Sequence, residues 1–255
     1  MRVFGLIGAH LGHSFSPRYF AQKFERLGLL TECTYQIWET LDPVGLLHEL
    51  KKNPEVVGAN ITIPYKETYL PLLDSIDSHS KAIGSVNTIL FHRNGTQPIA
   101  TGFNSDWWGF MRSFEDWQTY TKRGREVPNT LILGNGGASK AIRYALEQLQ
   151  IPAVQFARRP SAGEKLFESF GEYLVDGSLI INCTPLGTYP NVSDAPPIHY
   201  ELLNSSHLLF DLVYNPEKTE FLVRGLQRGA EGINGLQMLQ YQADKSWEIW
   251  NSSSN

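Results

Sequence analysis

The sequence predicts an α/β chain made of two domains, and three observations point there. Short apolar, β-branched runs alternate with runs of helical spacing along most of the chain, the pattern of parallel strands joined by crossover helices. Thr130-Leu131-Ile132-Leu133 leads straight into Gly134-Asn135-Gly136-Gly137-Ala138-Ser139, with a helix-like stretch behind it. That is the strand, turn and helix of a Rossmann-type dinucleotide cradle. The first glycine allows the tight turn, the second lets the backbone approach a pyrophosphate, and the helix N-terminus offers N–H groups to the anion. Ser139 stands where the fingerprint prefers Gly or Ala. Finally, Gln118 to Asn129 is polar and charged without apolar period, and reads as a crossing into a second domain. A chain of 255 residues is long enough to bury the cores of two modest domains.

In order along the chain, Arg2 to Gly8 reads as a short buried strand. Ser16 suits an N-cap and Pro17 a first helical position, which predicts a helix over Pro17 to Leu27 that stops at Gly28. Thr34 to Trp38 alternates as a second strand. Pro43 to Lys52 reads as a helix, and Val56 to Ile63 as a third strand ended by Pro64. Tyr65 to Asp74 reads as helical. Val86 to Phe91 and Ile99 to Gly102 flank Asn94-Gly95, a hairpin signal. Asp106 to Gln118 carries Trp107, Trp108, Phe110, Met111, Phe114 and Trp117, a helical stripe that serves a core first and a ligand platform second. Beyond the glycine turn, Lys140 to Gln150 is helical. Strands at Ala153–Ala157, Ser178–Cys183 and His207–Val213 then alternate with helices near Glu164–Phe170 and Glu217–Arg228, the latter closed by Gly229 to Gly232. Asn234 to Trp250 is a long amphipathic helix with Leu236, Leu239, Trp247 and Trp250 on its apolar side. The tail Asn251 to Asn255 has no apolar anchor and is expected to fray.

Composition narrows the function classes. The net charge is −4, so no basic field points to nucleic acid or to an anionic membrane. The one basic run, Lys122-Arg123-Gly124-Arg125, suits a solvated loop. Cys33 and Cys183 lack metal or redox spacing and read as reduced thiols. No residue cluster has metal-ligand spacing. The apolar run after Arg2 is broken early by His10 and His13, so the start does not read as a signal peptide. No run approaches the ~20 apolar residues of a spanning helix. The expectation is a cytoplasmic protein.

The residues after the second strand of the glycine domain bear on the cofactor. A free ribose 2′-hydroxyl usually meets an Asp or Glu there. This chain has Ala157-Arg158-Arg159-Pro160, and the nearest acid is Glu164. Guanidinium groups pair with phosphate and stack on adenine, which favours NADP over NAD. Chemistry must then come from polar residues outside the glycine domain. Four clusters offer them: Ser14 and Ser16 at a loop-to-helix junction, Asn60 to Lys66 at a strand end, Gly84 to Thr88, and Gly102 to Asp106. Each alone has a structural explanation. Together they resemble a pocket for a polyol and a carboxylate.

Taken in register, these runs resemble the shikimate dehydrogenases. The matching motifs are Ser14-x-Ser16-Pro17, Asn60-Ile61-Thr62-Ile63-Pro64-Tyr65-Lys66, Gly84-Ser85-Val86-Asn87-Thr88, Gly102-Phe103-Asn104-Ser105-Asp106 and the glycine turn itself. They continue with Asn182-Cys183-Thr184-Pro185-Leu186-Gly187, Asp211-Leu212-Val213-Tyr214-Asn215-Pro216, and Asn234-Gly235-Leu236-Gln237-Met238-Leu239 followed by Gln242. Any one motif is weak; eight in order, from Arg2 to about Trp250, are specific.

The resemblance implies an N-terminal mixed α/β substrate domain, residues 1–105, completed by a C-terminal helix over 234–255. It also implies an NADP-binding Rossmann domain over 106–233, with the reaction in the cleft between the two. The implied activity is reversible NADP-dependent reduction of 3-dehydroshikimate to shikimate in chorismate and aromatic amino acid biosynthesis, by a monomer or homodimer. Lys66 and Asp106 would form the catalytic pair. Ser14, Ser16 and Tyr214 would hold the ring carboxylate. Thr62, Asn87 and Gln242, with the catalytic pair, would hold ring hydroxyls. Gly134, Asn135, Gly136, Gly137, Ala138 and Ser139 would cradle the cofactor, Arg158 with Arg159 would meet its adenosine phosphate, and Thr184 and Gly235 would lie along its nicotinamide end. The chemistry leaves Lys66 either as the proton-transfer agent or as an electrostatic and binding group. The chain departs from the family where Ala157-Arg158-Arg159 replaces Asn-Arg-Thr, where Thr188 replaces Met, and where Ser105 replaces Thr. The segment Arg159 to Gly177 is also short for a crossover helix. Use of quinate or NAD, and a non-catalytic dinucleotide-binding regulator, are the alternative readings.

Overall fold

The computed structural model describes residues 1–12, 14–94, 97–120, 127 and 129–252. The chain is α/β and forms two compact units, one of residues 1–105 with 242–255 and one of residues 106–241.

The first unit is built on a six-stranded mixed sheet. Its strands are β1 (Arg2–Gly8), β2 (Cys33–Glu39), β3 (Val56–Ile61), β4 (Ser75–Ile76), β5 (Thr88–Asn94) and β6 (Gln97–Phe103), in the order β2-β1-β3-β5-β6-β4. Helices α1 (Ser16–Leu27), α2 (Pro43–Lys52) and α3 (Ser78–Ile83) accompany it. β1 pairs in parallel with β2 and β3, as strand–helix alternation predicts, but β5 is antiparallel to both β3 and β6. The hairpin expected of Val86–Phe91 and Ile99–Gly102 is present as the antiparallel pair β5 and β6, which makes the sheet mixed. The Asn94-Gly95 turn signal lies partly outside the described residues. Alternation along each strand divides the core. Val3, Ile7, Ala59 and Ile61 pack on one face with Leu47 and Leu50 of α2. On the other face Phe4 and Leu90 meet Phe20 and Phe24 of α1, together with Ala243 and Trp250 of the C-terminal helix.

Several local expectations are corrected here. Ser16 does not cap α1: Phe15 is the N-cap, with no side-chain capping bond, and Ser16 is the first helical residue. Its hydroxyl lies beside the Tyr35 phenol. Tyr65 to Asp74 is not an α-helix but a series of turns ending in a 3-10 turn at Leu70–Leu72. There Tyr65 and Tyr69 are buried and donate their hydroxyls to the carbonyls of Thr40 and Pro43. The short β4 and α3 that follow have no apolar period long enough to be read.

The second unit is a five-stranded, wholly parallel sheet of β7 (Thr130–Leu133), β8 (Ala153–Phe156), β9 (Leu179–Asn182), β10 (Leu208–Asp211) and β11 (Glu231–Asn234), in the order β11-β10-β9-β7-β8. Helix α4 (Asp106–Tyr120) opens it, and α5 (Gly137–Gln148), α6 (Phe170–Tyr173), α7 (Glu220–Gln227) and α8 (Leu236–Asn251) follow. Phe110, Phe114 and Trp117 of α4 pack with Ile142, Ala145 and Leu146 of α5 against Ile132, Ile181 and Phe210. Leu131, Leu133, Ile180 and Leu209 point to the opposite face, toward Phe170 and Phe221. This burial places the aromatic stripe of α4 in the core of the second unit. The crossing between units therefore falls between Ser105 and Asp106, not in the polar stretch 118–129, most of which (with the basic run 122–125) lies outside the described residues. The second crossing falls inside α8, after Tyr241, rather than before Asn234. The end of the tail also lies outside the described residues.

The crossover between β8 and β9 is reduced to a 3-10 turn at Phe167–Ser169 and the four-residue α6, as the short segment implies; Glu164 itself is not helical. Gly232 does not close α7 but lies in β11, a strand too short and too glycine-rich to read. Among the described residues no helix is long and apolar enough to cross a membrane.

Candidate functional site

In the first unit, the ends of β1, β3 and β6 and the start of β5 share one edge of the sheet, because β5 runs against its neighbours. Thr62 follows β3 there, with its N–H on Ile7 O at 2.9 Å, and Asn87 precedes β5, with its N–H on Phe103 O at 3.0 Å. Lys66 is half-buried, and its carbonyl accepts the Val86 N–H at 2.8 Å, which ties the lysine turn to the segment carrying Asn87. Ser14 lies in the loop after β1, with its N–H on Leu11 O at 3.0 Å.

A buried relay of amides and hydroxyls surrounds Asn87. Asn87 Oδ1 accepts the Ser105 backbone N–H at 2.7 Å and the Thr88 hydroxyl at 3.0 Å. A backbone N–H cannot reverse its role, so it fixes the amide with Nδ2 facing Gln242 Oε1 (3.2 Å) and Ser105 Oγ (3.0 Å). The far end of the Gln242 amide is therefore a donor. Asn60 is oriented by the Asn87 backbone carbonyl, which can only accept and takes its Nδ2 at 3.4 Å. Its Oδ1 then accepts the Tyr35 hydroxyl at 2.9 Å, and its Nδ2 also donates to Ser246 Oγ (2.9 Å) and Thr88 Oγ1 (3.3 Å). Burial pushes the Tyr35 phenol well above its usual range, with the neighbouring Ser16 hydroxyl opposing. One chain of hydrogen bonds thus runs from Tyr35 through Asn60 to Asn87 and Gln242.

In the second unit, the predicted residues gather at the carboxyl ends of the parallel strands. Gly134 ends β7 with φ +106°, a conformation glycine favours. A Cβ there would lie 3.1 Å from Thr184 Cγ2 and 3.2 Å from the Cys183 carbonyl carbon, so a larger residue would press β7 and β9 apart. These two neighbouring strands are where the strand order reverses, the usual ligand position in an open α/β sheet. Gly136 is the N-cap of α5; no side chain caps it, and a Cβ there would meet nothing within 4 Å. An uncapped helix start with open space above it fits a dinucleotide pyrophosphate. Ser139 is buried, donates to Gly136 O at 2.7 Å and accepts from Gln155 Nε2 at 3.1 Å. A hydroxyl in the third position thus holds the turn together from within. Asn135, Gly137 and Ala138 complete the turn, and Arg158 and Arg159 are exposed just after β8.

Thr184 is held by Asn182 Oδ1, which accepts its N–H at 3.0 Å and its hydroxyl at 2.6 Å. Asn182 Nδ2 donates in turn to Asp211 Oδ1 (2.9 Å), which also accepts the Val213 N–H (3.0 Å), while Oδ2 accepts the Thr219 hydroxyl. Burial pushes the Asp211 carboxyl up to about 6, against the lowering effect of Thr219, Val213 and Asn182. Tyr214 is half-buried beyond this segment. Gly235 has its N–H on Val213 O at 3.3 Å, and a Cβ there would lie 2.3 Å from Leu212 O, so only glycine fits. Asp106 is buried as the first residue of α4. Among the described residues no group of three or more His, Cys, Asp or Glu could hold a metal.

Sequence reasoning missed Tyr35, Ser246 and Gln155, and gave Asp211 no role beyond its place in a motif. Ser246 had a usable signal, since it lies four residues after Gln242 on one helix and shares its face. Tyr35 had none, because strand alternation does not say which side chain ends beside a serine from another element.

Residues 6–89 match the family model for the shikimate dehydrogenase substrate binding domain. A Clostridium beijerinckii protein named shikimate dehydrogenase (NADP+) is 34% identical over 261 residues, covering 98% of this chain and 92% of its own. The crystal structure of shikimate dehydrogenase 1 from Peptoclostridium difficile superposes with a TM-score of 0.83 at 34% identity, covering 100% of this chain and 93% of that one. The Thermus thermophilus shikimate 5-dehydrogenase, solved in complex with NADP(H) and shikimate, gives 0.83 at 30% identity, with 99% and 94% coverage.

Proposed function

The chain belongs to the shikimate dehydrogenase family, and on that premise we propose that it is an NADP-dependent oxidoreductase interconverting 3-dehydroshikimate and shikimate, a step toward chorismate and the aromatic amino acids. The observation that carries the assignment is the buried relay from Tyr35 through Asn60 to Asn87 and Gln242. The Ser105 N–H cannot reverse, so it orients Asn87 and leaves the Gln242 Nε2 as a donor suited to a ring hydroxyl.

In the reducing direction NADPH supplies the hydride. Lys66 gives the proton to the ketone oxygen and stabilises the negative charge developing on it. The carboxylate of Asp106 accepts a hydrogen bond from a ring hydroxyl. Ser14, Ser16 and Tyr214 donate to the ring carboxylate, and Thr62, Asn87 and Gln242 hold ring hydroxyls. Residues 134–139 hold the pyrophosphate, Arg158 and Arg159 the adenosine phosphate, and Thr184 and Gly235 border the nicotinamide. Residues 1–105 with 242–255 act as the substrate-binding part and 106–241 as the cofactor-binding part. The unpaired thiols of Cys33 and Cys183 support a cytoplasmic setting.

Initial rates with shikimate and with quinate, each against NADP+ and NAD+, test the reading. Shikimate with NADP+ is expected to turn over fastest. A faster rate with quinate would displace the assignment, and no turnover with any pair would point to a regulator. Lys66→Ala should lower kcat at least ~100-fold; near-normal turnover would remove Lys66 from the chemistry.

A further inference from the structure

The tertiary structure brings an acid to the adenosine end of the glycine turn that sequence distance hides. After β8 the chain leaves through Arg158 and Arg159, turns at Ser161–Glu164, and returns beside the strand it left. Lys165 pairs in parallel with Phe156, with Lys165 N on Gln155 O at 2.8 Å and Ala157 N on Lys165 O at 2.9 Å. The returning segment is thereby stitched to the end of β8, next to the arginines. Within it, Glu164 Oε2 accepts the Ser161 N–H at 2.7 Å and Asn135 Nδ2 at 3.0 Å. Asn135 belongs to the glycine turn, and its Nδ2 also reaches Arg159 O at 3.3 Å. One carboxylate oxygen is thus pinned by two donors between the turn and the arginine segment.

That is where a Rossmann fold reads the 2′ position of the adenosine ribose. A carboxylate accepts a hydrogen bond from a 2′-hydroxyl and repels a 2′-phosphate, whereas Arg158 and Arg159 attract the phosphate. We propose that Glu164 is a specificity-determining residue that offsets the two arginines, so that this chain binds NAD(H) as well as NADP(H). The proposal rests on the dinucleotide reading of the glycine turn given above. Like charges a few ångströms apart at a protein surface change affinity about tenfold.

The test is the dissociation constant of NADPH and of NADH, measured by fluorescence titration of the full chain. Wild type is compared with Glu164→Gln and Glu164→Asp. Glutamine keeps an oxygen for the Ser161 N–H, so the turn is retained while the charge is lost. Aspartate keeps the charge on a shorter stem. Glu164→Gln is expected to tighten NADPH about tenfold without tightening NADH, while Glu164→Asp keeps the wild-type ratio within about threefold. An unchanged ratio in Glu164→Gln, or an equal change in both variants, would overturn the proposal and leave Glu164 as a turn residue. A wild type that binds neither nucleotide would overturn the cofactor reading itself, and the proposal with it.

Discussion

Replacing Asp211 by asparagine is expected to flatten the dependence of stability on pH between about 4 and 7. The folded carboxyl titrates at about 6 against an ordinary 3.8, because burial opposes its ionisation. Below about 3.8 both the folded and the unfolded chain hold the proton, and the group contributes nothing. Between 3.8 and about 6 the folded chain still holds the proton that the unfolded chain has released, so stability falls as pH rises. Above about 6 both states are ionised and the loss is complete. At ~1.4 kcal/mol per pH unit, that interval corresponds to about 3 kcal/mol. Asparagine removes the titration and suits the geometry. Its Oδ1 keeps the donors from Asn182 and Val213, and its Nδ2 donates to Thr219 Oγ1, whose hydroxyl reverses. The variant should match wild type near pH 4 and exceed it by about 3 kcal/mol at pH 7. Urea unfolding at a series of pH values reads the difference, and amide hydrogen exchange at Leu209 and Phe210 localises it to this unit. A constant difference between the two proteins from pH 4 to 7 would refute the reasoning, because a carboxyl with an ordinary folded pKa gives no slope there.

Two further perturbations act in the first unit. Tyr35→Phe removes the donor to Asn60 Oδ1, which is buried. It should lower stability by about 1–3 kcal/mol and raise the KM for shikimate with the dissociation constant of NADPH unchanged; equal effects on both ligands would show that the relay does not serve the substrate alone. Gly58→Ala puts a Cβ 2.1 Å from Trp250 Nε1, which is buried and donates to Ile89 O at 2.9 Å. Overpacking with loss of that bond should cost about 2–4 kcal/mol, seen as a lowered urea midpoint, and a midpoint within error of wild type would contradict the packing at this position.

The glycine domain was the more legible half, for a local reason. Four of its five parallel strands are short apolar runs, β11 being the exception, and the turn after β7 needs a positive φ that glycine announces. The first unit was less legible because its sheet changes direction at β5, and because Tyr65 to Asp74 spends its apolar period on buried tyrosines capped by carbonyls rather than on a helix. The motif positions Thr62, Lys66 and Asn87 could be named in advance, since loops at strand ends carry polar groups whatever the fold around them. Their orientation could not. The sense of the Asn87 amide depends on the Ser105 N–H, and that of Asn60 on the Asn87 carbonyl, neither near it in sequence.

By itself, then, the order of residues determined the two-domain α/β plan, the glycine turn between β7 and α5, and the polar positions at strand ends, because strand periodicity and turn chemistry act over a few neighbouring residues. Tertiary structure alone decided that Ser139 braces the turn from inside, that Tyr35 joins the amide relay at Asn60, and that Glu164 sits against Asn135 beside the arginines. Each depends on side chains from different strands and loops converging, which no local pattern encodes.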